Sequence, residues 1–278
     1  MVLRFKTEVT FCSTLSGGTL LNSLPLSVVY ITQDAGSILG KSLASVCDIA
    51  QEIVVVDSGS LDNTLEVAKS YGAQIFQHSW QGFPAQRQWA VDRATHDWVL
   101  MMDSDEVLTK QASTEIKKLL CRQPIVTAYK LRRCSYFHGS RIRFGDWRRD
   151  EVIRLFDRSM GNYDPTEVVH ESWHTRGDVG RISEMALQHY SYTSYRQLME
   201  KMQHYAELNA QKVYARGHPV SALAPMSHAL AAFFRGYVLR LGCLDGVDGA
   251  AIAWTIAMGA FMKYAIAREI QVKNVAPS

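Results

Sequence analysis

Three carboxylates stand close together directly after an apolar run of the sequence. The segment MMDSDE, residues 101–106, follows WVL and contains Asp103, Asp105 and Glu106. Like charges this close raise one another's pKa, so packing alone disfavours the arrangement and a positively charged group is expected there. A strand end with a short turn could present Asp103 and Asp105 to a hard divalent cation such as Mg²⁺ or Mn²⁺, with a diphosphate completing the shell. The alternative is an acidic turn in solvent that caps the following helix.

A second candidate carboxylate, Asp57, closes the apolar run IVVVD. At a strand end it could accept hydrogen bonds from a nucleotide base or ribose, although alone it fits a loop or cap equally well. From Leu26 the chain alternates strand-like and helix-like segments, with strands predicted over 26–32, 52–58, 73–78 and 97–103. This rhythm of continuous apolar strands predicts a parallel sheet covered on both faces. Ligands bind at the carboxyl ends of such strands, where Asp34, Asp57 and the 103–106 cluster all fall.

The sequence changes character after a predicted helix over 110–122 and a predicted strand over 126–133. The segment 132–158 is expected to be an irregular binding segment, because aromatic residues alternate with arginines that can hold an acidic ligand through paired hydrogen bonds. A solvated face paired with the neighbouring acidic residues is the alternative. The arginines of this segment are Arg132, Arg133, Arg141, Arg143, Arg148, Arg149, Arg154 and Arg158.

Composition excludes several classes of protein. The 278 residues are 47% apolar and carry a formal charge of +3, which suits a globular core and gives no argument for nucleic-acid binding. Five cysteines without CxxC spacing suggest neither disulfides nor a zinc site, and a reducing cytoplasm fits them. No segment is predicted to reach the roughly 20 apolar residues that span a bilayer, and the runs 219–234 and 249–262 are read as core or interfacial helices.

We predict three regions along the chain. Residues 1–24 form a poorly ordered leader, residues 25–193 form the nucleotide-binding domain, and residues 194–278 form a helical extension. A helix is predicted over 195–215, because its apolar residues recur on one face.

Five segments in order resemble family 2 glycosyltransferases, and within them lipopolysaccharide core-biosynthesis β-1,4-glucosyltransferases. They are LSVVYITQDAGSI, EIVVVDSGSLDNTLEVAKSYGA, QRQWAVDRATHDWVLMMDSDE, VIRLFDR and VVHE, and the resemblance covers about 26–270. It implies a GT-A fold: a Rossmann-like, mostly parallel α/β sheet flanked by helices, with a C-terminal helical extension. It also implies a nucleotide-sugar donor and inversion at the anomeric carbon.

The resemblance also implies roles for the residues of the donor site. Asp57 matches the uracil contact, with Thr32 and Asp34 lining the same pocket, and Arg87 matches a partner of the donor diphosphate. Asp103 would meet the ribose or the metal, and Asp105 would hold the metal. Relatives usually have Asn-Glu at Gln33-Asp34 and Ala at Ser104.

A further set of residues is assigned to transfer. Glu171 in VVHE is the candidate base that deprotonates the acceptor hydroxyl, with Asp146 or Asp150 as substitutes. His170 and Trp147 are expected to contact the acceptor, and Arg154 in RLF to bind the donor.

The expected function is metal-dependent, inverting transfer of a hexose, glucose from UDP-glucose, onto a lipopolysaccharide inner-core heptose or a similar glycan. The alternatives are a sugar-phosphate nucleotidyltransferase and a catalytically silent nucleotide-sugar-binding module. The expected partners are a UDP-sugar and a lipopolysaccharide core or lipid-linked glycan, without nucleic acid. Arg235, Arg240, Lys263 and Arg268 flank apolar runs, so a cytoplasmic location with peripheral contact to the inner membrane is expected.

Overall fold

The computed structural model of the protein describes residues 25–122, 124–148, 150–165 and 172–275. By its contacts the chain divides into two compact units, Met1–Arg133 with Glu151–Gln188, and Cys134–Asp150 with His189–Ser278. The predicted leader, 1–24, lies outside the described residues. The predicted domain boundary after residue 193 stays a prediction.

The first unit is built on four parallel strands. They are β1 (Leu26–Thr32), β2 (Glu52–Asp57), β3 (Gln74–Gln77) and β4 (Trp98–Asp103), in the spatial order β3-β2-β1-β4. Strands β1 and β2 are buried along their whole length, as their continuous apolar sequences predict. Thr32 stands opposite Asp57, and Ile31 stands opposite Asp103. The carboxyl ends of β1, β2 and β4 therefore lie level at one edge of the sheet.

Helices cover both faces of these strands. They are α1 (Gly36–Val46), α2 (Thr64–Ser70), α3 (Phe83–Val91) and, after the short strand β5 (Glu106–Leu108), α4 (Lys110–Cys121). Leu39 and Leu43 of α1 pack with Tyr30 and Leu100 in one core cluster, whereas Ala90 of α3 belongs to the cluster on the other face. Each helix thus covers one face of the sheet, and the loops that connect strands to helices lie at the carboxyl edge of the sheet.

The remaining strands extend the sheet and make it mixed. They are β6 (Ala128–Phe137), β7 (Ser140–Arg141), β8 (Asp150–Asp157), β9 (Gly161–Tyr163), β10 (Trp173–Thr175) and β11 (Val179–Tyr192). The large sheet continues from β4 in the order β8-β6-β11-β5, and β9 and β10 form a separate antiparallel pair. The predicted fold class, a mostly parallel α/β sheet flanked by helices with a C-terminal helical part, is confirmed.

The prediction that 132–158 is irregular was wrong. Strand β8 lies inside the sheet, antiparallel to β4, with Phe156 opposite Val99. Its residues Arg154, Leu155 and Phe156 are all buried. The many arginines of this segment concealed the strand from sequence analysis, because one of them, Arg154, is itself buried in the sheet.

The second unit is mainly helical, as predicted after Ser194. Helix α5 (Tyr195–Ala215) matches the predicted 195–215, and α6 (Ala224–Phe233) and α7 (Gly246–Val275) follow it. A π-helical turn over Phe234–Leu239 and a 3₁₀ turn over Gly242–Asp245 connect α6 to α7.

The prediction that no segment has bilayer length needs correction. Within the described residues one helical stretch, Gly242–Lys273, is long and apolar enough to cross a membrane by length and composition, and 28% of its most apolar window is buried. The run 249–262 by itself is too short to cross a bilayer. The helical stretch that contains it is longer, because its apolar character continues on both sides of the run.

Candidate active site

Asp57 holds the loop that follows β2. Its carboxylate accepts hydrogen bonds from the backbone N–H of Gly59 at 2.9 Å and of Ser60 at 2.8 Å. It also accepts from the hydroxyls of Ser60 at 2.5 Å and Thr32 at 3.1 Å. A carboxylate has about four acceptor positions, and these four donors fill them. Asp57 is fully buried, so it fixes the shape of the loop.

Asp34 joins the loop after β1 to the same segment. It has φ of +47°, a left-handed conformation that Asp tolerates better than most residues. Its carboxylate accepts from the N–H of Leu61 at 2.8 Å, and its own N–H donates to the Ser60 hydroxyl at 2.8 Å. The predicted pocket residues Thr32, Asp34 and Asp57 are therefore brought together.

A close approach of Gly36 and Asp62 completes this junction. The N–H of Gly36 donates to Asp62 at 2.9 Å. A Cβ at Gly36 would lie 2.0 Å from the side-chain oxygen of Asn63, so Asn63 would have to move to make room for any other residue. A hydrogen bond from the Thr64 hydroxyl, followed by those from backbone N–H groups, lowers the pKa of Asp62.

Gln86 ties α3 to the ends of β2 and β3, and sequence reasoning missed it. Its side-chain amide donates to the Ser58 hydroxyl at 3.0 Å and to the backbone carbonyl of His78 at 3.1 Å. Its carbonyl oxygen lies 2.8 Å from Nδ1 of His78. The available signal was an amide on the buried side of a short helix, one residue before Arg87. Gln86 therefore positions the helix that carries that arginine.

Asp103 contacts two guanidinium groups. One nitrogen of Arg87 lies 3.0 and 3.3 Å from its two oxygens, and Arg154 donates to it from β8. Arg87 and Arg154 are buried, at 6% and 3% exposed. The positive charge expected beside the acidic cluster is thus supplied in part by the protein itself.

Glu106, the first residue of β5, is fully buried. It accepts from Arg154 at 2.7 Å, from Arg133 at 3.3 Å and from the N–H of Asp103 at 3.1 Å. Sequence analysis placed Glu106 in the acidic cluster without a role. We define the ion cluster as Asp103, Glu106, Arg87, Arg133 and Arg154. It sets three guanidinium groups against two carboxylates.

Arg154 remains charged at every working pH. Burial alone would lower its pKa, but Asp103 and Glu106 outweigh burial and raise the pKa well above the usual value. Tyr163 of β9 lies close enough to interact with both Arg87 and Arg154. Burial raises the pKa of Tyr163 to about 12, an effect that these two arginines reduce. Its hydroxyl is therefore neutral beside the ion cluster.

An aromatic cluster of Phe156, Tyr163 and Trp173 is formed by strands β8, β9 and β10. Phe156 and Trp173 stack with ring centroids 3.9 Å apart, and Tyr163 meets Trp173 edge-on at 5.4 Å. Such packing excludes water, which strengthens the interactions of the neighbouring ion pairs.

The residues present suit a divalent cation. Asp103 and Asp105 flank the turn between β4 and β5 and offer only oxygen ligands, which Mg²⁺ and Mn²⁺ prefer. Among the described residues no group of three His, Cys, Asp or Glu side chains could hold a metal ion. Two carboxylates are sufficient where substrate phosphates and water complete the shell.

The remaining predicted residues are not described as part of the first unit. Glu171 and His170 lie outside the described residues, so their roles stay predictions. Trp147 belongs to the second unit, where it stacks on Tyr192 at 5.1 Å. Asp146, the substitute base, is also in the second unit and pairs with Arg240.

The comparisons with known proteins agree with this arrangement. Residues 27–177 match the model of glycosyl transferase family 2. An uncharacterized glycosyltransferase of Rickettsia typhi is 26% identical over 90% of this chain and 88% of its own length. The lipopolysaccharide core biosynthesis glycosyltransferase LpsC of Rhizobium meliloti is 27% identical over 89% of this chain and 96% of its own length.

Two solved structures show weaker likeness. Residues 1–349 of S. aureus TarS are 13% identical with a TM-score of 0.47, over 90% of this chain and 92% of that one. Glucosyl-3-phosphoglycerate synthase of Mycobacterium tuberculosis, solved with Mn²⁺ and UDP, is 18% identical with a TM-score of 0.34, over 42% of this chain and 45% of that one. Both TM-scores lie below 0.5, so the family assignment rests on the sequence match.

An α/β sheet with charged loops at its carboxyl edge is an architecture typical of nucleotide-binding enzymes. This chain belongs to glycosyl transferase family 2, and its sheet has the GT-A arrangement expected of it. The protein is therefore a glycosyltransferase, as the sequence predicted, and membership of the family disfavours the nucleotidyltransferase and the silent binding module.

Proposed function

We propose that this glycosyltransferase is an inverting, metal-dependent enzyme that moves glucose from UDP-glucose onto a heptose of a lipopolysaccharide inner core or a similar glycan. The observation that carries the proposal is the ion cluster at the carboxyl edge of β4, level with the loop that Asp57 orders after β2. A nucleoside diphosphate needs both features: a shaped loop for the base and cationic groups for its phosphates.

The uracil would lie over the loops after β1 and β2. Thr32 and Asp34 would line this pocket, and Asp57 would act through the loop 58–60 that it holds. Because four protein donors already occupy the Asp57 carboxylate, most of its contribution to base binding is to keep these backbone groups in place.

The donor diphosphate would bind Arg87 and Arg154. Each is buried and held by Asp103, so little side-chain entropy would be lost when phosphate oxygens replace or join that carboxylate. The guanidinium groups of Arg87 and Arg154 provide planar N–H donors that suit phosphate oxygens.

Asp103 and Asp105 would hold the divalent cation, which when bound supplies positive charge against the departing diphosphate. Arg87 and Arg154 would orient the phosphate oxygens so that the anomeric carbon faces the acceptor. Glu171 would take the proton from the acceptor hydroxyl, and His170 would orient that hydroxyl. Trp147 would contribute to acceptor binding through its aromatic face.

The acceptor is proposed from the likeness to LpsC, whose name places that relative in lipopolysaccharide core biosynthesis. A phosphate- and carboxylate-bearing core would suit the arginines of 132–158. Because such an acceptor is attached to lipid, the enzyme would work at the cytoplasmic face of the inner membrane.

The test is UDP release from a panel of UDP-sugars, with Mg²⁺ or Mn²⁺ and with deacylated inner core as acceptor. We expect release with UDP-glucose to require both the core and the cation. The variant Asp105→Asn should lose activity by at least about a hundredfold, because the negative charge of one metal ligand is removed.

Asp48→Asn is the matched control, because Asp48 is an exposed carboxylate that pairs with Lys117 at 2.9 Å. It should keep the activity of the wild type. Equal activity of Asp105→Asn and Asp48→Asn would contradict the metal assignment. Undiminished activity on a core that lacks heptose would contradict the proposal that heptose is the acceptor.

A further inference from the structure

The second unit presents several large apolar side chains on α6, α7 and the turns beside them to solvent. We call it the apolar face and define it by Leu223, Met226, Leu230, Phe234, Val247 and Trp254, all of which are exposed. Leu230 is 63% exposed, Trp254 62% and Val247 76%. One exposed leucine is ordinary on a protein surface, but six large apolar side chains exposed on packed helices and their connecting turns indicate a surface of interaction.

The spacing of these residues places them in stripes along the helices. Met226, Leu230 and Phe234 follow one another at intervals of four along α6 into the π-helical turn, so they share one side. Trp254 meets Phe233 edge-on at 5.2 Å, and Tyr264 of α7 stacks on His228 of α6 at 4.1 Å. Helices α6 and α7 therefore lie side by side and form one broad surface.

The charges around the apolar face are predominantly positive. Between residues 216 and 268 the sequence has five Lys and Arg residues, Arg216, Arg235, Arg240, Lys263 and Arg268, and only two acidic residues, Asp245 and Asp248. The side chains of Arg235 and Arg240 are each 50% exposed, and both pair with the single carboxylate of Asp146.

Both acidic residues have protein partners. Asp245 accepts from the backbone N–H groups of Arg143 at 3.1 Å and Phe144 at 2.8 Å. Asp248 accepts from the hydroxyl of Tyr195 at 2.7 Å and contacts His138 at 3.0 Å. When Asp146 and Glu269 are counted as well, these five cations still outnumber the acidic residues in this part of the second unit.

The packing of α7 against helix α5 argues against a bilayer-spanning orientation of α7. Ile252 of α7 packs against Leu198 of α5, and Ala267 of α7 packs against Ala210. Helix α5 carries exposed charges at Arg196, Glu200, Lys201, Glu207 and Lys212. Moving α7 into the hydrocarbon core would take these charges with it, at high cost.

We propose that the apolar face docks on an anionic lipid bilayer, with α6 and α7 parallel to the membrane plane. The apolar side chains would enter the boundary between headgroups and acyl chains, and the flanking cations would contact lipid phosphates. This inference goes beyond the proposed transfer reaction and uses only contacts within the second unit.

The experiment is co-sedimentation of the full chain with vesicles of phosphatidylethanolamine and phosphatidylglycerol, at low and high salt. Pure phosphatidylcholine vesicles provide the neutral comparison. The wild type should bind the anionic vesicles, and added salt should weaken binding because the lipid charge is screened. The double variant Leu230→Ser/Trp254→Ser should bind at least about tenfold more weakly, because apolar burial is lost. Lys263→Glu should weaken binding more than about fivefold, since a nearby cation is reversed.

Ile125→Ser is the matched control, because Ile125 is 98% exposed in the first unit. It should bind as the wild type does, and circular dichroism should show that each variant is folded. Absence of binding to anionic vesicles at low salt, or equal binding by the double variant, would overturn the proposal. A dimer in light scattering that the double variant dissolves would assign the apolar face to a second copy instead. Because binding is the readout, a failed transfer assay would leave this result intact.

Discussion

Arg154 connects the acidic cluster of β4 to the buried carboxylate of β5. One nitrogen of its guanidinium group, Nη2, donates to both Asp103 and Glu106, and the other nitrogens of the same planar group provide further N–H donors. The same group is proposed to bind the donor diphosphate. Residue identity therefore matters here beyond charge.

The variant Arg154→Lys tests this requirement. A lysine lacks the guanidinium fork, so its one nitrogen would have to serve both carboxylates and the phosphate, and we expect kcat/KM for UDP-glucose to fall by about ten- to a hundredfold while the protein stays folded. Arg181→Lys is the control, because Arg181 is an exposed arginine paired with Glu151 at 3.2 Å. Comparable activity of the two variants would remove Arg154 from the donor site.

Glu106 is the second residue with a specific expectation. Glu106→Gln removes the buried countercharge of Arg133 and Arg154, and we expect the free energy of unfolding to fall by about 3 kcal/mol. Glu200→Gln, which breaks an exposed pair with Arg196, should change it by less than about 0.5 kcal/mol. Urea denaturation measures both. If Glu106→Gln lowers the free energy of unfolding no more than Glu200→Gln does, Arg133 and Arg154 do not depend on the Glu106 carboxylate.

Some residue roles could be predicted from the sequence and others could not. The position of Asp103 at a strand end followed from the apolar run before it, and the need for positive charge followed from Coulomb repulsion. Which positive groups come there did not follow, because Arg133 and Arg154 arrive on β6 and β8, far along the chain. Gln86 gave no pattern, since its partners on two strand ends become neighbours only in the fold.

At the scale of elements, the junction of α1 with the loop before α2 brings the two pocket loops together. Gly36 begins α1 at the point where Asp62 and Asn63 approach it. The junction orders the residues that follow β1 and β2, and both loops belong to the proposed uracil pocket.

The variant Gly36→Ala tests the junction. The added Cβ would lie 2.0 Å from the Asn63 oxygen, so we expect a loss of about 1–3 kcal/mol in stability together with weaker UDP binding. Gly40→Ala in the same helix is the control, because its Cβ would meet nothing closer than 3.5 Å, and helix propensity should make it neutral or stabilising. Adding Asn63→Ala to Gly36→Ala should restore part of the loss in thermal denaturation. No difference between the two glycine variants would show that the junction tolerates a side chain.

The predictability of the elements follows the same division. Strands β1, β2 and β4 were located within about a residue, because each is an uninterrupted apolar run between turns. Strand β8 was missed, because a charged residue on a strand usually indicates a solvent-facing side, whereas Arg154 is buried by its carboxylate partners. The local pattern of apolar residues predicts which segments are buried, but it does not predict which distant segments pair with one another.

At the scale of the whole molecule, Glu52 links stability to pH. Its carboxylate accepts from the Ser27 hydroxyl at 2.5 Å and from the N–H of Thr95 at 2.9 Å, joining the amino ends of β1 and β2 to the turn before β4. Burial alone would raise the pKa of Glu52, but these hydrogen bonds and nearby His96 outweigh it and lower the pKa below its ordinary value of 4.5.

A lowered pKa in the folded state predicts the sign of the pH effect. The contribution of Glu52 is fully present above its ordinary pKa of 4.5 and is lost as pH falls through the lower folded pKa. The difference in free energy of unfolding between wild type and Glu52→Gln should therefore be largest near neutral pH and shrink in acid. A gap that is constant or grows as pH falls would contradict this assignment.

The central claim is that the acidic turn after β4 and the arginines around it bind a nucleoside diphosphate together with a divalent cation. Calorimetric titration of UDP, with Mn²⁺ and then with a chelator, tests it most directly in the wild type and in Asp105→Asn. The account predicts binding that weakens at least about tenfold when Mn²⁺ is removed, and a variant whose weaker affinity no longer responds to Mn²⁺. UDP affinity that is the same in all four titrations, or undetectable in the wild type with Mn²⁺, would contradict it.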